Sequence, residues 1–152
     1  MVARRFRVLK AVGKGGMSAV YAAEDLVTGH RVALKLLDVP DTHRAQMVER
    51  FRREAGVAKR LRGPNFAAII DFGSDNGLEA GAGVHYIAMQ LLTGETLQAR
   101  LARVGTLSIE EALVLVDALE AGLTQAHKLV IIRRDLKPVI FFNYTPTTEI
   151  GQ

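Results

Sequence analysis

The chain has 152 residues, 49% of them hydrophobic and 24% charged, which is typical of a globular protein rather than a disordered one. It contains no cysteine, which excludes a disulfide framework and any zinc or iron–sulfur site built on thiolates. No segment reaches the ~18 apolar residues of a bilayer span. The basic N-terminus lacks the apolar core of a signal peptide. We therefore expect a soluble, cytoplasmic protein with no membrane span.

The formal net charge of +4 is unevenly distributed along the chain. Residues 1–62 hold 14 of the 20 Lys and Arg residues but only 6 of the 16 Asp and Glu residues. A basic half of this kind can bind nucleic acid or acidic lipids, or it can be a solvated surface that attracts nucleotide phosphates. Aromatic residues do not alternate with the basic ones, as they do on single-stranded nucleic-acid surfaces. We therefore expect no specific nucleic-acid partner.

The first 42 residues predict a meander of three strands. Residues 5–12 alternate polar and apolar side chains, and Gly13 is expected to end this first strand. Residues 19–25 predict the second strand and residues 31–37 the third, with a turn at residues 28–29 between them.

Residues 44–61 predict a helix, which Gly63-Pro64 would end. The positions that recur with helical spacing are Met47, Phe51, Glu54, Ala58 and Leu61. Two further strands are predicted over residues 67–72 and 84–89, joined by a Gly-rich loop.

The second half predicts mainly helices. A short helix is expected over residues 96–103. Ser108 and Glu111 have the spacing of a capping box, which opens a helix that runs to about Lys128. One side of this long helix carries an apolar stripe, formed by Ala112, Leu115, Leu119, Leu123 and Ala126.

A glycine-rich run lies between the first two predicted strands. Its residues are Gly13, Lys14, Gly15, Gly16, Met17 and Ser18. Glycines let a backbone approach phosphates and present N–H groups to them, although the same residues could form an ordinary hairpin turn. The residues that follow favour a strand, whereas a dinucleotide-binding turn would open a helix, and the P-loop spacing is absent. A Gly-rich loop between two strands is the arrangement of protein kinases.

Lys35 and Glu54 are the next two candidate residues. Strand alternation places Lys35 on the same face as Ala33, in a sequence that matches the kinase Val-Ala-Ile-Lys motif. Glu54 is predicted on the apolar stripe of its helix, where a carboxylate needs a partner. That partner could be Arg50 one turn earlier, or, as in kinases, the strand lysine.

With Asp135-Leu136-Lys137-Pro138 after the long helix, these motifs resemble a bacterial (eukaryotic-like) Ser/Thr protein kinase. The resemblance implies an α+β, protein-kinase-like fold. Residues 1–90 would form a complete five-stranded N-lobe with one helix, and residues 91–152 the hinge and a partial helical C-lobe. It also implies ATP binding and phosphoryl transfer from ATP to protein serine or threonine.

The resemblance assigns a role to each motif. Asp135 would accept or orient the proton of the substrate hydroxyl, and Lys137 would neutralise the transferring γ-phosphate. Val20 and Ala33 would sandwich the adenine ring, with Met89 as gatekeeper. The full set of nucleotide-contacting residues that it implies is Val12, Gly13, Lys14, Gly15, Gly16, Met17, Ser18, Val20, Ala33, Lys35, Glu54, Met89, Gln90 and Leu92.

The chain also departs from the family pattern. Arg133 stands where the family has histidine, and Phe142 stands where a smaller aliphatic residue supports the adenine. Ile140 stands where the family has a magnesium-binding asparagine, for which Asn143 is three residues too late. The Asp-Phe-Gly segment, which holds the other magnesium ligand, is expected after the last residue of this sequence. Mg²⁺ is thus expected from the family, but its ligands are missing here.

These departures predict impaired phosphoryl transfer, because magnesium carries much of the electrostatic catalysis. The alternative is a truncated pseudokinase that acts as a nucleotide-binding or interaction module. In the family the apolar face of the long helix packs against further helices that this sequence does not contain. We therefore expect a protein substrate or partner to cover residues 108–128.

Overall fold

The computed structural model describes the backbone of residues 141 and 142 and, in full, residues 1–14, 18–37, 44–75 and 83–129. The chain divides into two compact units, residues 1–91 and residues 92–152. None of the helices in the described part of the chain is long and apolar enough to cross a membrane.

The first unit is built on a five-stranded antiparallel sheet. Its strands are β1 (Phe6–Lys14), β2 (Ser18–Asp25), β3 (Arg31–Leu37), β4 (Ile69–Asp75) and β5 (Val84–Gln90). Their order in the sheet is β1-β2-β3-β5-β4. All five strands were predicted from the sequence, and the bounds of β3 agree with the prediction. The predicted range of β4, residues 67–72, begins two residues before the observed strand and ends three residues before the observed strand does.

β1 differs from its predicted range, residues 5–12. The strand continues through Gly13 to Lys14 because both residues keep partners on β2. Its register against β2 also shifts twice, and the residues skipped by these shifts are Leu9 and Val12. Such bulges interrupt the two-residue alternation, and both apolar side chains are exposed as a result.

One face of the sheet carries the larger apolar core. Val32 and Leu34 alternate with Ala33 and Lys35 along β3 and point to this face, where both are fully buried. The other buried members of this cluster are Val2, Phe6, Ala23, Tyr86 and Ala88. Ala33 and Lys35 are thereby left on the opposite face.

The opposite face is covered by α1 (Arg44–Arg60). Phe51 and Ala55 are buried there and cluster with Ile87 of β5. The helix was predicted, but the position of Glu54 on its buried stripe was wrong. Because a helix turns 100° per residue, Glu54 lies about 60° from Phe51, whereas Ala55 follows Phe51 on the inward side. The Glu54 side chain is 54% exposed.

An ion pair ties the start of β1 to the turn after β2. The fully buried carboxylate of Asp25 accepts two hydrogen bonds of 2.8 Å from the guanidinium of Arg5. It also accepts bonds from the backbone N–H of Val27 and the hydroxyl of Thr28. These bonds hold the turn in which Gly29 adopts a φ of 72°, a conformation that favours glycine. The pKa of Asp25 lies far below its usual range, mainly because of the hydrogen bonds from Arg5.

The described part of the second unit contains two helices and a small ladder. Its elements are β6 (Glu95–Thr96), α2 (Leu97–Val104), α3 (Ile109–Lys128) and β7 (Phe141–Phe142). β6 and β7 pair in antiparallel fashion. The hydroxyl of Thr96 caps α2 by accepting the Ala99 N–H at 3.1 Å, so the predicted short helix is confirmed with a shift of one residue.

The predicted capping box at the start of α3 is confirmed. The Ser108 hydroxyl accepts the Glu111 N–H at 3.1 Å, and the Glu111 carboxylate accepts the Ser108 N–H at 2.9 Å. The Glu111 carboxylate also accepts a bond from Arg100 of α2, so the cap links the two helices. The pKa of Glu111 is lowered, mainly because its carboxylate accepts the hydrogen bond from the Ser108 amide.

Ser108→Ala should lower the free energy of unfolding by about 1 kcal/mol, because the N–H of Glu111 loses its acceptor. Urea unfolding followed by circular dichroism measures this change. Thr124→Ala is the matched control: it removes an exposed hydroxyl from α3 far from the N-terminal cap and should not destabilise the protein, since alanine favours helix. Equal losses in the two variants would contradict a capping role.

The apolar stripe predicted on α3 is partly covered in the structure. Ala126 is buried, and the other four stripe residues are partly buried. The exposed apolar surface lies beside this stripe at Ile109, Leu113 and Val116, which are 76%, 59% and 57% exposed. The expectation of an exposed apolar surface on α3 is therefore met by different residues from those predicted.

Candidate functional site

An ion pair between β3 and α1 is the central feature of the first unit. The Lys35 Nζ lies 2.6 Å from Oε1 of Glu54, with a charge-assisted hydrogen bond between them. Lys35 is fixed on the α1 side of the sheet by the alternation of β3, and Glu54 stands at the edge of the helix facing that strand. Among the described residues no ion pair joins Glu54 to Arg50, so the pairing with the strand lysine is the one observed.

The Lys35 ammonium is held by more than Glu54. It lies 5.7 Å from the centre of the Phe51 ring, within cation–π distance. Only 21% of the Lys35 side chain is exposed. Because a partly exposed ion pair adds less than about 1 kcal/mol to stability, the arrangement serves mainly to fix the position of the ammonium.

A cavity of about 200 Å³ opens beside the ion pair. Its polar lining comes from Ser18, Lys35, Arg50 and Glu54, and its apolar lining from Leu37, Met47 and Phe51. One hydroxyl, one ammonium and one guanidinium therefore face the same space. A site of this composition can accept an anionic group, with the ammonium held by a carboxylate behind it.

Three of the predicted adenine-contacting residues lie on this same face of the sheet. Val20 of β2 pairs with Lys35, and Ala33 of β3 pairs with Met89 of β5. Residues directly opposite in an antiparallel pair point to the same side. The structure thus brings Val20, Ala33, Met89 and Lys35 together on one surface.

The glycine-rich segment is described in part. Val12, Gly13 and Lys14 form the end of β1, all of them exposed, and Ser18 begins β2. Val12 is one of the two residues skipped by the β1 register shifts. Gly15, Gly16 and Met17 lie outside the described residues.

Gln90 and Leu92 follow Met89, the predicted gatekeeper. The Gln90 backbone N–H donates to the Ala68 carbonyl at 2.9 Å. Gln90 belongs to the first unit, whereas Leu92 begins the second.

The predicted catalytic residues Asp135 and Lys137 lie outside the described residues. The same is true of Arg133, Ile140, Asn143 and the Phe142 side chain. Within the part of the chain that the structure describes, no three His, Asp or Glu side chains converge as metal ligands.

Phe51 and Arg50 contribute to the site, although neither was predicted from the sequence to do so. Phe51 was assigned only to the core, but its ring also supports the Lys35 ammonium. Arg50 was considered only as a partner for Glu54, but it lines the cavity. A helical projection that places Arg50, Phe51 and Glu54 beside the strand lysine would have indicated both.

The family model for the protein kinase domain matches residues 6–146 of this chain. The chain belongs to the protein kinase family. The expected five-stranded N-lobe sheet with one helix, followed by a helical segment, is therefore confirmed as a protein kinase fold.

Relatives of the chain are bacterial Ser/Thr kinases. It is 34% identical over 137 residues to the serine/threonine-protein kinase PrkC of Bacillus subtilis, covering 90% of this chain and 20% of the relative. It is 33% identical over 146 residues to the serine/threonine-protein kinase PknA of Mycobacterium tuberculosis, covering 96% of this chain and 33% of the relative. It is 35% identical over 141 residues to a probable serine/threonine-protein kinase of Bifidobacterium longum, covering 91% of this chain and 18% of the relative.

These matches confirm the predicted resemblance to bacterial Ser/Thr kinases, a family whose members use ATP and Mg²⁺. The chain spans only a fifth to a third of the length of the PrkC and PknA relatives.

Proposed function

We propose that the chain binds ATP and is a protein Ser/Thr kinase domain with impaired phosphoryl transfer. The observation that carries this proposal is the 2.6 Å pair between Lys35 and Glu54 beside a cavity with two further polar donors. The family match to residues 6–146 supports it.

The first unit would hold the nucleotide. Lys35, steadied by Glu54 and Phe51, would meet the α- and β-phosphates. The glycine-rich residues Gly13 to Ser18, with Lys14, would add backbone donors and positive charge. The polar cavity lining fits an anion, so these residues suit the phosphate end of ATP.

The adenine end would lie against the apolar residues on the same face. Val20 and Ala33 would sandwich the ring, with Val12 at the edge and Met89 as gatekeeper. Because the Gln90 N–H is already donated to Ala68, its carbonyl is the backbone group that would accept from the adenine amino group. The Leu92 backbone would contribute the second adenine contact.

Transfer would depend on residues of the second unit. ATP supplies the transferable γ-phosphoryl group when it is bound. Asp135 would orient the substrate hydroxyl and accept its proton, and Lys137 would balance the charge that develops on the transferring group. Because the protein mainly positions charges in this reaction, small losses of alignment lower the rate strongly.

The sequence of the catalytic loop supports impairment. Ile140 offers no lone pair where the family has a magnesium-binding asparagine, and Arg133 puts a charge where a histidine packs. These two residues also favour the second candidate, a pseudokinase that binds nucleotide or a protein partner without transfer. The exposed apolar residues of α3 are consistent with such a partner.

The experiment has a binding arm and a transfer arm, both with the full chain. A fluorescent ATP analogue should bind weakly, with little dependence on Mg²⁺, and unlabelled ATP should displace it. Failure of ATP to displace the analogue would contradict the proposed nucleotide site. Tight, salt-sensitive binding to random duplex DNA would instead favour a nucleic-acid function.

The transfer arm measures labelled phosphate moved from ATP to a generic Ser/Thr substrate protein. We expect no detectable transfer by this chain. Robust transfer that is lost in Asp135→Asn would contradict impairment and establish Asp135 as catalytic. Binding without transfer in the wild type and in Asp135→Asn agrees with both candidates, whereas weak transfer that is lost in Asp135→Asn would favour the impaired kinase over the pseudokinase.

A further inference from the structure

Residues 2–5 form a tight turn, here called the strap, that folds back on the start of β1. The Val2 carbonyl accepts the N–H groups of Arg5 at 3.1 Å and Phe6 at 2.9 Å, and the Val2 N–H donates to the Phe6 carbonyl at 2.9 Å. The Val2 side chain is buried in the core cluster that contains Phe6 and Tyr86. The strap is therefore packed against the face of the sheet opposite α1.

The two central residues of the strap have an unfavourable backbone conformation. Ala3 and Arg4 both have a φ of 51°, and among the described residues other than glycine they are the ones with a positive φ. A type I′ turn requires a positive φ at both central positions, which glycine, asparagine or aspartate usually fill. A Cβ atom makes this conformation costly, so contacts elsewhere must hold the strap in it.

Those contacts are made with β4, at the opposite edge of the sheet. The Ala3 N–H donates to Oδ2 of Asp75 at 2.7 Å. The Arg5 guanidinium, which binds Asp25, also donates to Oδ2 of Asp71 at 3.2 Å. β1 and β4 are the two edge strands, and in a flat sheet they would lie four strand spacings, about 19 Å, apart. The strap thus joins two edges that are not neighbours in the strand order.

The Asp71 carboxylate is itself held in place by Tyr86. The Tyr86 hydroxyl donates to Oδ2 of Asp71 at 3.3 Å, and its ring packs against Phe6 with 5.6 Å between the ring centroids. A Cβ atom at Gly73 would lie 3.2 Å from this hydroxyl, so glycine leaves the room that the hydroxyl occupies beside Asp71. The acceptor for Arg5 on β4 is therefore fixed by the core cluster.

We propose that the strap is a strained latch that closes the sheet from β1 to β4 and so sets the position of β1. In the closed state, the bonds to Asp71 and Asp75 offset the cost of the two left-handed residues. Opening loses those bonds but also releases the strain. The strap therefore opens more readily than an unstrained turn with the same bonds would.

The course of β1 depends on this latch because the rest of the strand is irregularly paired. The register of β1 against β2 shifts twice, at Leu9 and Val12, before the strand reaches Gly13. A bulge locally disrupts the ladder, so the anchor at the start of β1 contributes more to the position of the strand than it would in a regular pair. The functional meaning of this anchor rests on the proposed nucleotide site, because the end of β1 belongs to the glycine-rich run.

Amide hydrogen exchange of the full chain without nucleotide tests the latch. The reporters are the amides of Phe6 and Leu26, whose acceptors are carbonyls of the strap. Ala3→Gly relieves the strain at one residue, so the opening constant of both amides should fall severalfold. Ala11→Gly is the matched control. It makes the same change at an exposed position of β1 without a positive φ, where glycine should not lower the opening constant.

Ala3→Pro should open the strap. Proline lacks the N–H that donates to Asp75 and fixes φ at about −65°, so it fits neither the bond nor the turn. The opening constant of the two reporter amides should rise roughly tenfold, whereas that of the α1 amides should change little. Reporter amides that exchange equally in the wild type and Ala3→Pro would overturn the proposal, and so would a failure of Ala3→Gly to slow their exchange. If Ala3→Pro fails to fold, the two glycine variants still decide.

Competition between unlabelled ATP and a fluorescent analogue then relates the latch to the nucleotide site. Ala3→Pro should weaken ATP binding severalfold, whereas Ala3→Gly should not. Equal ATP affinity in the wild type and Ala3→Pro, with the exchange response present, would overturn the role of the latch in placing β1 for the nucleotide. A chain that shows the exchange response but binds no ATP would contradict the proposed function and support the latch.

Discussion

Asp25→Asn should lower the free energy of unfolding of the protein by about 2–4 kcal/mol. The carboxylate is fully buried and accepts four hydrogen bonds, two of them from the Arg5 guanidinium. An asparagine has one acceptor oxygen fewer, carries no charge and turns an N–H₂ group towards Arg5. The guanidinium keeps a contact with Asp71 at 3.2 Å, which limits the loss.

Urea unfolding measured by circular dichroism gives the change directly. Glu24→Gln is the matched control, because Glu24 is the neighbouring carboxylate on β2 and pairs with Arg7 at an exposed site. Its loss should stay within about 1 kcal/mol. Equal effects of the two substitutions would contradict a special role for the buried pair.

The pH profile provides a second measurement of the same pair. Because the folded protein holds the pKa of Asp25 far below its usual range, its stabilisation is complete above the usual carboxyl pKa of about 3.9. It is lost as the pH falls below that value. The Asp25→Asn variant should therefore lose less stability than the wild type between pH 5 and pH 2.

The strands could be predicted because their evidence is local. In β3, five apolar or small residues accompany a single lysine, and the two-residue period alone assigned Lys35 to the face of Ala33. The structure agrees, since Val32 and Leu34 are buried on the other side. The β1 bulges could not be predicted in this way, because a bulge depends on the partner strand as much as on the bulged one.

The helical elements show the same limit. The capping box of α3 involves two residues three positions apart, and its pattern identified both bonds. The pairing of Glu111 with Arg100 involves a second helix, so the pattern carried no sign of it. Glu54 was assigned to the buried stripe of α1, whereas it lies at the edge of that stripe and Ala55 is buried with Ile87. The helical spacing tolerates either position 54 or position 55, and only packing against the sheet decides.

Long-range polar contacts were the least predictable part of the first unit. Arg5 lies 20 residues from Asp25 and 66 residues from Asp71. Nothing in the sequence near Arg5 distinguishes it from Arg4, which is exposed. The pairing of Lys35 with Glu54 was predictable only because the family resemblance supplied the partner, since the helical spacing alone left Arg50 as an alternative.

Lys35→Met should weaken binding of ATP to the full chain by about 10- to 100-fold. Methionine is an unbranched side chain one atom shorter than lysine, and it removes the ammonium together with its cation–π contact to the Phe51 ring. A charge-assisted hydrogen bond contributes about 1.5–3 kcal/mol, and each 1.4 kcal/mol is a factor of ten in affinity. Competition between unlabelled ATP and a fluorescent analogue measures the change.

Lys59→Met is the matched control. Lys59 lies on the same helix as Glu54, and its ammonium is 5.6 Å from the Phe72 ring, a contact similar to that between Lys35 and Phe51. The control thus removes one positive charge and one cation–π contact without touching the cavity, and its affinity for ATP should be unchanged. Glu54→Gln should have an intermediate effect, since the ammonium remains but loses the carboxylate that positions it. Equal affinities in the Lys35 and Lys59 variants would show that ATP does not bind at this ion pair.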